Sequence, residues 1–430
     1  MVNQSRNMAM ALSSEDRSRL EINEQVLSED ALLDFSGRTI HRPVFFNRTT
    51  FPGCEPSAGE AAFYQVTFKQ SLYFNECLFR CRYLRFEECT FEKGLVFANC
   101  GSMPEIVTLG SLTMRGALSI LNSSFKSLHI LPGNSQKPVL FEHHIDIEDS
   151  SLNELCMVQA DCRGAVCLRN SVFKHRASFV ACRFGGWLSL DGVTVERCHD
   201  AANEQTNLLH INESTLSALT LKQIDCDADF AICHTTIEGH LTTFDCSFKG
   251  GVAFSPVNRG NRCTCVVEAV HARLPGALEP LYRFARLVKT DHGDLDAAGK
   301  YYFLERKAHN AAARAEARWM SFPWSARSKV RLWLDWLIGE SLLGYGERPL
   351  RPLMWALGII LLFAAVFWHI GDGQKTLPFQ ECLYRSSAAF LTFDNDAKSE
   401  ALRALTVVEG AAGVSLMSLF LVVLARRFVR

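Results

Sequence analysis

Residues 63–97, "FYQVTFKQSLYFNECLFRCRYLRFEECTFEKGLVF", place Phe63, Phe68, Phe74, Phe79, Phe86, Phe91 and Phe97 at gaps of 5, 6, 5, 7, 5 and 6. A helix repeats every 3.6 residues and a strand every two, so neither produces this beat. A solenoid does, because each turn of chain returns an apolar residue to the same column. Downstream, Phe173, Phe179, Phe184, Leu190 and Val195 keep the step, as do Ile211, Leu216 and Leu221, and Phe248 to Phe254 closes it. A smaller residue stands two positions before many of the large ones, as in Val66/Phe68, Cys77/Phe79, Cys89/Phe91, Ser171/Phe173, Cys182/Phe184 and Cys246/Phe248. Along a short strand, residues i and i−2 point to the same side, so a narrow interior takes one large and one small group from each.

Composition agrees. The chain has 430 residues, with 30 Phe against 8 Tyr and 7 Trp, an aromatic supply suited to a core rather than to base stacking. Basic and acidic residues number 45 and 46, and residues 40–270 carry 20 and 24, too even for nucleic-acid binding or for charge mimicry of it. The 16 Cys are expected as reduced, column-filling thiols: residues 1–30 show no apolar secretory run, and Cys is a small, readily buried residue. His143-His144, Cys162 with Cys167 and Cys263 with Cys265 lack the paired Cys-x2-Cys spacing of zinc sites, so neither metal nor cofactor is expected. Gly-rich phosphate loops and hydrolase motifs are missing, and the chain reads as a non-enzyme.

The stretch resembles the pentapeptide-repeat family, whose consensus has a central Leu or Phe and a small residue two before it. The resemblance covers residues 40–257, with the insertion "CHDAANEQTN" at 198–207 breaking register. It implies a right-handed quadrilateral β-helix, with about 20 residues per turn and some ten coils ~4.8 Å apart, a rod of about 50 Å. Residues 1–39 form a polar N-terminal segment. Residues 278–318 read as an α-helical hairpin, with Leu281, Phe284 and Leu287 on one apolar face and Ala297, Tyr301 and Leu304 on the other. Residues 319–351 mix Trp with Arg and Lys, as a juxtamembrane amphipathic segment does.

Residues 352–430 then form a two-span membrane domain. "PLMWALGIILLFAAVFWHI" (352–370) and "ALTVVEGAAGVSLMSLFLVVLA" (404–425) are each long enough to cross a bilayer. Arg348 and Arg351 precede the first span and Arg426, Arg427 and Arg430 follow the second, which places both termini in the cytoplasm of a multi-pass inner (cytoplasmic) membrane protein. Between them, "FQECLYRSSAAFLTF" (379–393) reads as a short helix, giving the order span, half-helix, polar return, span of a re-entrant loop.

That order, with "RALTVVEGAAGVSLMSLFLVVLARRF" (403–428), resembles the two-transmembrane pore module of the potassium-channel superfamily. The resemblance implies an oligomer, a tetramer in that family, with Thr392, Phe393, Asp394, Asn395 and Asp396 as pore-loop residues and Glu409, Gly410 and Gly413 on the inner helix. The filter departs from the family pattern: Leu391 to Asp396 contain no glycine, so the ladder of carbonyls that coordinates potassium is missing. The Gly-Tyr-Gly at 344–346 precedes the first span and reads as a juxtamembrane turn. Glu409 reads either as a pore-lining or pore-loop-tethering carboxylate, with Arg385 or Arg403 as partner, or as an interfacial acid reaching the headgroups. Gly410, Gly413, Ser415 and Ser418 offer close helix approach of the kind that oligomers use. Two functions follow: an ion-channel-like protein with a cytoplasmic sensor or scaffold, or a non-conducting, membrane-tethered scaffold that docks a protein partner on its β-helix.

Overall fold

The computed structural model describes residues 20–23, 35–51, 60–101, 104–133, 136–196, 208–254, 257–259, 263–272, 276–319, 330, 333, 337, 341, 350–370, 378–392 and 400–429. The chain divides into two compact units, Met1–Lys289 and Thr290–Arg430.

The first unit is a β-solenoid of about nine turns, with every described strand pairing parallel. Each turn has two longer faces and two short ones. In one turn these are Glu60–Tyr64, Thr67–Phe68, Leu72–Asn75 and Leu78–Phe79, and each carries one inward phenylalanine: Phe63, Phe68, Phe74 and Phe79. The Phe ladder therefore becomes four columns. Phe63 stacks on Phe86 at 4.8 Å, Phe68 on Phe91 at 5.0 Å, Phe74 on Phe97 at 4.9 Å and Phe79 on Phe51 at 4.6 Å, all within 11° of parallel. Across columns the rings meet edge to face, as Phe63 meets Phe68 and Phe86 meets Phe91.

The turns are longer than the family pattern implies. Phe63 pairs with Phe86, Leu72 with Leu95, and Val166 with Leu188, which are offsets of 23, 23 and 22 residues rather than about 20. The extra positions are corner residues. Sixteen described non-glycine residues hold φ of 45–55°, among them Gln65, Glu76, Glu88, Asn99, Ser111 and Asn122, two to a turn. This left-handed conformation, normally the preserve of Gly and Asn, reverses the chain in one residue.

The corner also explains the small residues. Val66, Cys77, Cys89, Cys100 and Ser123 each directly follow a left-handed residue and sit on the inside of the bend. Hydroxyls and thiols are tolerated there because an acceptor is built in: Ser123, Ser150, Ser171, Ser214 and Thr235 donate to the carbonyl two residues back at 2.8–2.9 Å. Cys77 and Cys89 reach the preceding turn's Phe46 and Phe63 carbonyls at 3.1 and 3.2 Å. Buried donors that find partners in this way cost little.

The described cysteines are free thiols. Burial pushes the thiols of Cys89, Cys226 and Cys265 up to about 12, and those of Cys81 and Cys182 up to about 11.

Five helices are described: α1 (Glu279–Asp291), α2 (Leu295–Trp319), α3 (Leu350–Ile370), α4 (Phe379–Thr392) and α5 (Glu400–Val429). Helix α1 belongs mostly to the solenoid unit. It buries Leu281, Phe284, Ala285 and Val288, and Phe284 meets Phe254 of a late turn edge-on at 5.1 Å. A stacked array needs such a cap, since its last turn has no neighbour to cover it. The buried face is completed by Ala285 and Val288, with Leu287 only half-buried at its margin. On α2, Ala298 is buried while Tyr301 and Leu304 are half-buried.

Replacing Phe86, fully buried and touching three other rings, by Ala should cost about 3–5 kcal/mol. Phe244→Ala, at a site 44% exposed, should stay within about 0.5 kcal/mol. Urea midpoints followed by circular dichroism on the detergent-solubilised chain decide between these values. The thiols supply a second check. A raised folded value contributes stability that is complete below the ordinary 9.0 and is lost as pH rises through about 11 to 12. Alkaline titration should therefore loosen the solenoid in that window, and alkylating reagents at neutral pH should leave Cys89, Cys226 and Cys265 unmodified until it unfolds.

Candidate functional site

In the second unit, α3, α4 and α5 pack as a three-helix group. Helix α3 and residues 402–422 of α5 are long and apolar enough to cross a membrane, yet only 17% and 28% of their apolar windows are buried in the chain. Leu357, Leu361 and Leu362 on α3 and Val407, Val408, Val414, Leu421 and Val422 on α5 lie exposed. A core helix of a water-soluble domain would have covered such surface. Helix α4 has 14 residues, about 21 Å of rise, too short for a ~30 Å hydrocarbon layer.

Helix α4 is held by one stripe. Cys382, Ser386, Ala389 and Phe390 are buried at helical spacing, and the facing stripe on α5 is Leu402, Thr406, Glu409, Gly410, Gly413 and Leu416. At one end, Phe367 of α3, Cys382 and Leu402 form an apolar cluster with Phe363 and Leu405. In the middle, Ser386 Oγ lies 2.8 Å from the Ile360 carbonyl of α3 and is also hydrogen-bonded to Glu409 of α5. Towards the other end, a Cβ on Gly413 would collide with the Phe390 carbonyl. Only a glycine lets the two backbones come so close.

Each residue anticipated from the sequence has a definite place or lies outside the described residues. Thr392 is exposed in the last turn of α4, its hydroxyl bonded to the Ala388 carbonyl at 2.7 Å. Phe393, Asp394, Asn395 and Asp396 lie outside the described residues. Glu409 is fully buried and bonds to Ser386 of α4, Gly413 abuts Phe390 of α4, and Gly410 is buried. Gly413 thus serves contact within the chain, whereas Ser415 and Ser418 lie on the exposed side of α5. The expected arginine partner is replaced by a hydroxyl. Arg385 sits one residue before Ser386, about 100° around the helix, and pairs with Glu381 at 3.2 Å. Ser386, the Ile360 carbonyl and Phe390 carried no signal in the sequence beyond the small-residue run "RSSAAF".

On the solenoid, no three His, Cys, Asp or Glu side chains converge as a metal site among the described residues. On one long face Glu154 lies 3.6 Å from His129 and 4.0 Å from Arg176, side chains from successive turns. No family profile matches the chain, and neither a curated protein nor a solved structure is significantly similar to it.

Gly413→Val should force α4 and α5 apart and lower stability by about 1–3 kcal/mol. Ser415→Ala, whose hydroxyl only bonds back to Ala411, should leave it unchanged. Thermal midpoints of the two variants in detergent read the difference.

Proposed function

We propose that the chain is a membrane-anchored, pentapeptide-repeat-like protein whose β-solenoid acts in the cytoplasm as sensor or scaffold for an ion-channel-like pore module. One observation carries this reading: the 14-residue α4 is clasped between two span-length helices and turns a face of mixed polarity outward. Gln380, Glu381, Tyr384 and Thr392 are exposed on it beside Phe379 and Leu391, Tyr384 by 75%. Such a face at membrane depth is compatible with a water-lined cavity or a neighbouring subunit, and not with lipid. The module therefore works as a homo-oligomer, with a tetramer the arrangement that the potassium-channel resemblance implies. Basic flanks put both termini in the cytoplasm of the inner membrane. No catalytic constellation, cofactor or nucleic acid enters this reading.

A second reading has its own support. The Leu391–Asp396 stretch lacks the glycines of a filter, which favours a non-conducting anchor whose solenoid docks a protein partner.

Reconstitution of the full chain into liposomes with an ion-flux assay separates the two. Flux that is abolished by Asp396→Ala or Glu409→Ala is the expected result; silence across pH, voltage and ionic conditions supports the anchor. A truncated chain ending at Arg318 should be water-soluble, and its pelleting with membranes would move the membrane attachment upstream.

A further inference from the structure

We propose that Glu409 is a proton-binding site, a neutral carboxylic acid whose proton completes a latch across α3, α4 and α5. The proposal deepens the membrane-module reading and rests on it.

The reasoning starts from counting hydrogens. A serine hydroxyl has one proton and two lone pairs. Ser386 Oγ is within bonding reach of two oxygens, the Ile360 carbonyl at 2.8 Å and Glu409 Oε1. A carbonyl oxygen has no proton to offer. With Glu409 ionised, one of the two contacts would set two bare oxygen lone pairs against each other. With a proton on Glu409, both are satisfied in series: the Glu409 acid donates to Ser386 Oγ, and Ser386 donates to the Ile360 carbonyl. The three helices are then joined by one chain of hydrogen bonds.

Burial supplies a second, independent reason. Glu409 is fully buried, and its Oε2 has no hydrogen-bond partner. An ionised carboxylate in that position would leave an uncompensated charge away from water, the costliest state for a buried acid. No described cation is placed to compensate it. On α3, Arg351 and His369 each lie nine residues from Ile360, about 13 Å along the axis. On α4, Arg385 pairs with Glu381, Cys382 lies one turn from Ser386, and Tyr384 points outward. On α5, Arg403 is exposed six residues earlier, and residues 404–425 contain no other ionisable group. The charged residues of 371–377 and 393–399 lie outside the described residues.

Proton loss would charge the carboxylate, break the series of hydrogen bonds and release the clasp on α4, which carries Thr392 and leads into the pore-loop stretch. The site is thereby a point at which proton availability governs the position of the re-entrant helix.

Infrared difference spectroscopy on the full chain in lipid vesicles tests this without reading conduction. Wild-type protein at neutral pH should show the carbonyl stretch of a neutral carboxylic acid. That band should be lost in Glu409→Gln, whose amide can still donate to Ser386 and keep the fold, and it should move to higher frequency in Ser386→Ala, where the acceptor is gone. A band that survives Glu409→Gln, or whose position ignores Ser386→Ala, overturns the proposal, as does a wild-type spectrum with only carboxylate bands. Absence of ion flux would count against the pore and leave the acid band standing; absence of the band would sink the proton site and leave any flux intact.

Discussion

A chain that winds as a parallel coil must turn a corner without leaving polar groups stranded inside. In this solenoid a single left-handed residue turns the corner, and the residue after it falls on the inside of the bend. Room there is limited, and at most corners the position takes Val, Ala, Ser, Thr or Cys, with Leu112 and Ile224 the larger buried exceptions. The wider flank of the bend takes the phenylalanine. Once both are set, later turns repeat an apolar residue directly above: rings stack at 4.6–5.2 Å along four columns as far as Phe97, and Leu109, Met114 and Ile120 continue three of them. Register is kept by these pairs and not by residue count. Val44 meets Leu72 across 28 residues, Leu118 meets Ile145 across 27, and Leu188 meets Leu219 across 31. Loop length costs little when both ends are held, since closure entropy grows only with its logarithm.

The helical unit solves a different problem. Its helices have little surface in common, and much of their apolar area faces away from the chain. Close approach at Gly413, one apolar cluster and one polar contact position α4. In a setting where lipid is as apolar as leucine, small-residue approach and hydrogen bonding discriminate between arrangements better than burial does.

The Phe ladder was legible because each of its members marks a face: Phe63, Phe68, Phe74 and Phe79 are four consecutive walls of one turn. The length of the turn was not. It depends on Gln65, Glu76, Glu88 and Asn99, whose side chains share no property that betrays a positive φ. Glu409 stood out as the single charge between residues 404 and 425, but its partner did not. Charge alone offered an arginine partner or an acid reaching the headgroups. The contact went to Ser386 because the stripe that faces α5 passes through 382, 386 and 389, and Arg385 falls beside it. Gly413 announced a close approach without naming Phe390 as its object.

The two units also differ in where their buried polar groups find partners, and this decides which of them can respond to a signal. Ser150, Ser171 and Ser214 donate across the corner to carbonyls two residues back, so the bond forms whenever the corner forms. Nothing short of unwinding the turn disturbs it. Ser386 and Glu409 have no such local acceptor for their shared contact: it exists only while α3, α4 and α5 lie together. A bond made across three separate helices ties a local chemical event, the gain or loss of one proton, to the placement of an entire helix. Bistable elements in proteins are built from contacts of this non-local kind. The solenoid's interior, satisfied turn by turn, has the chemistry of a rigid body, and the helical unit has that of a moving part.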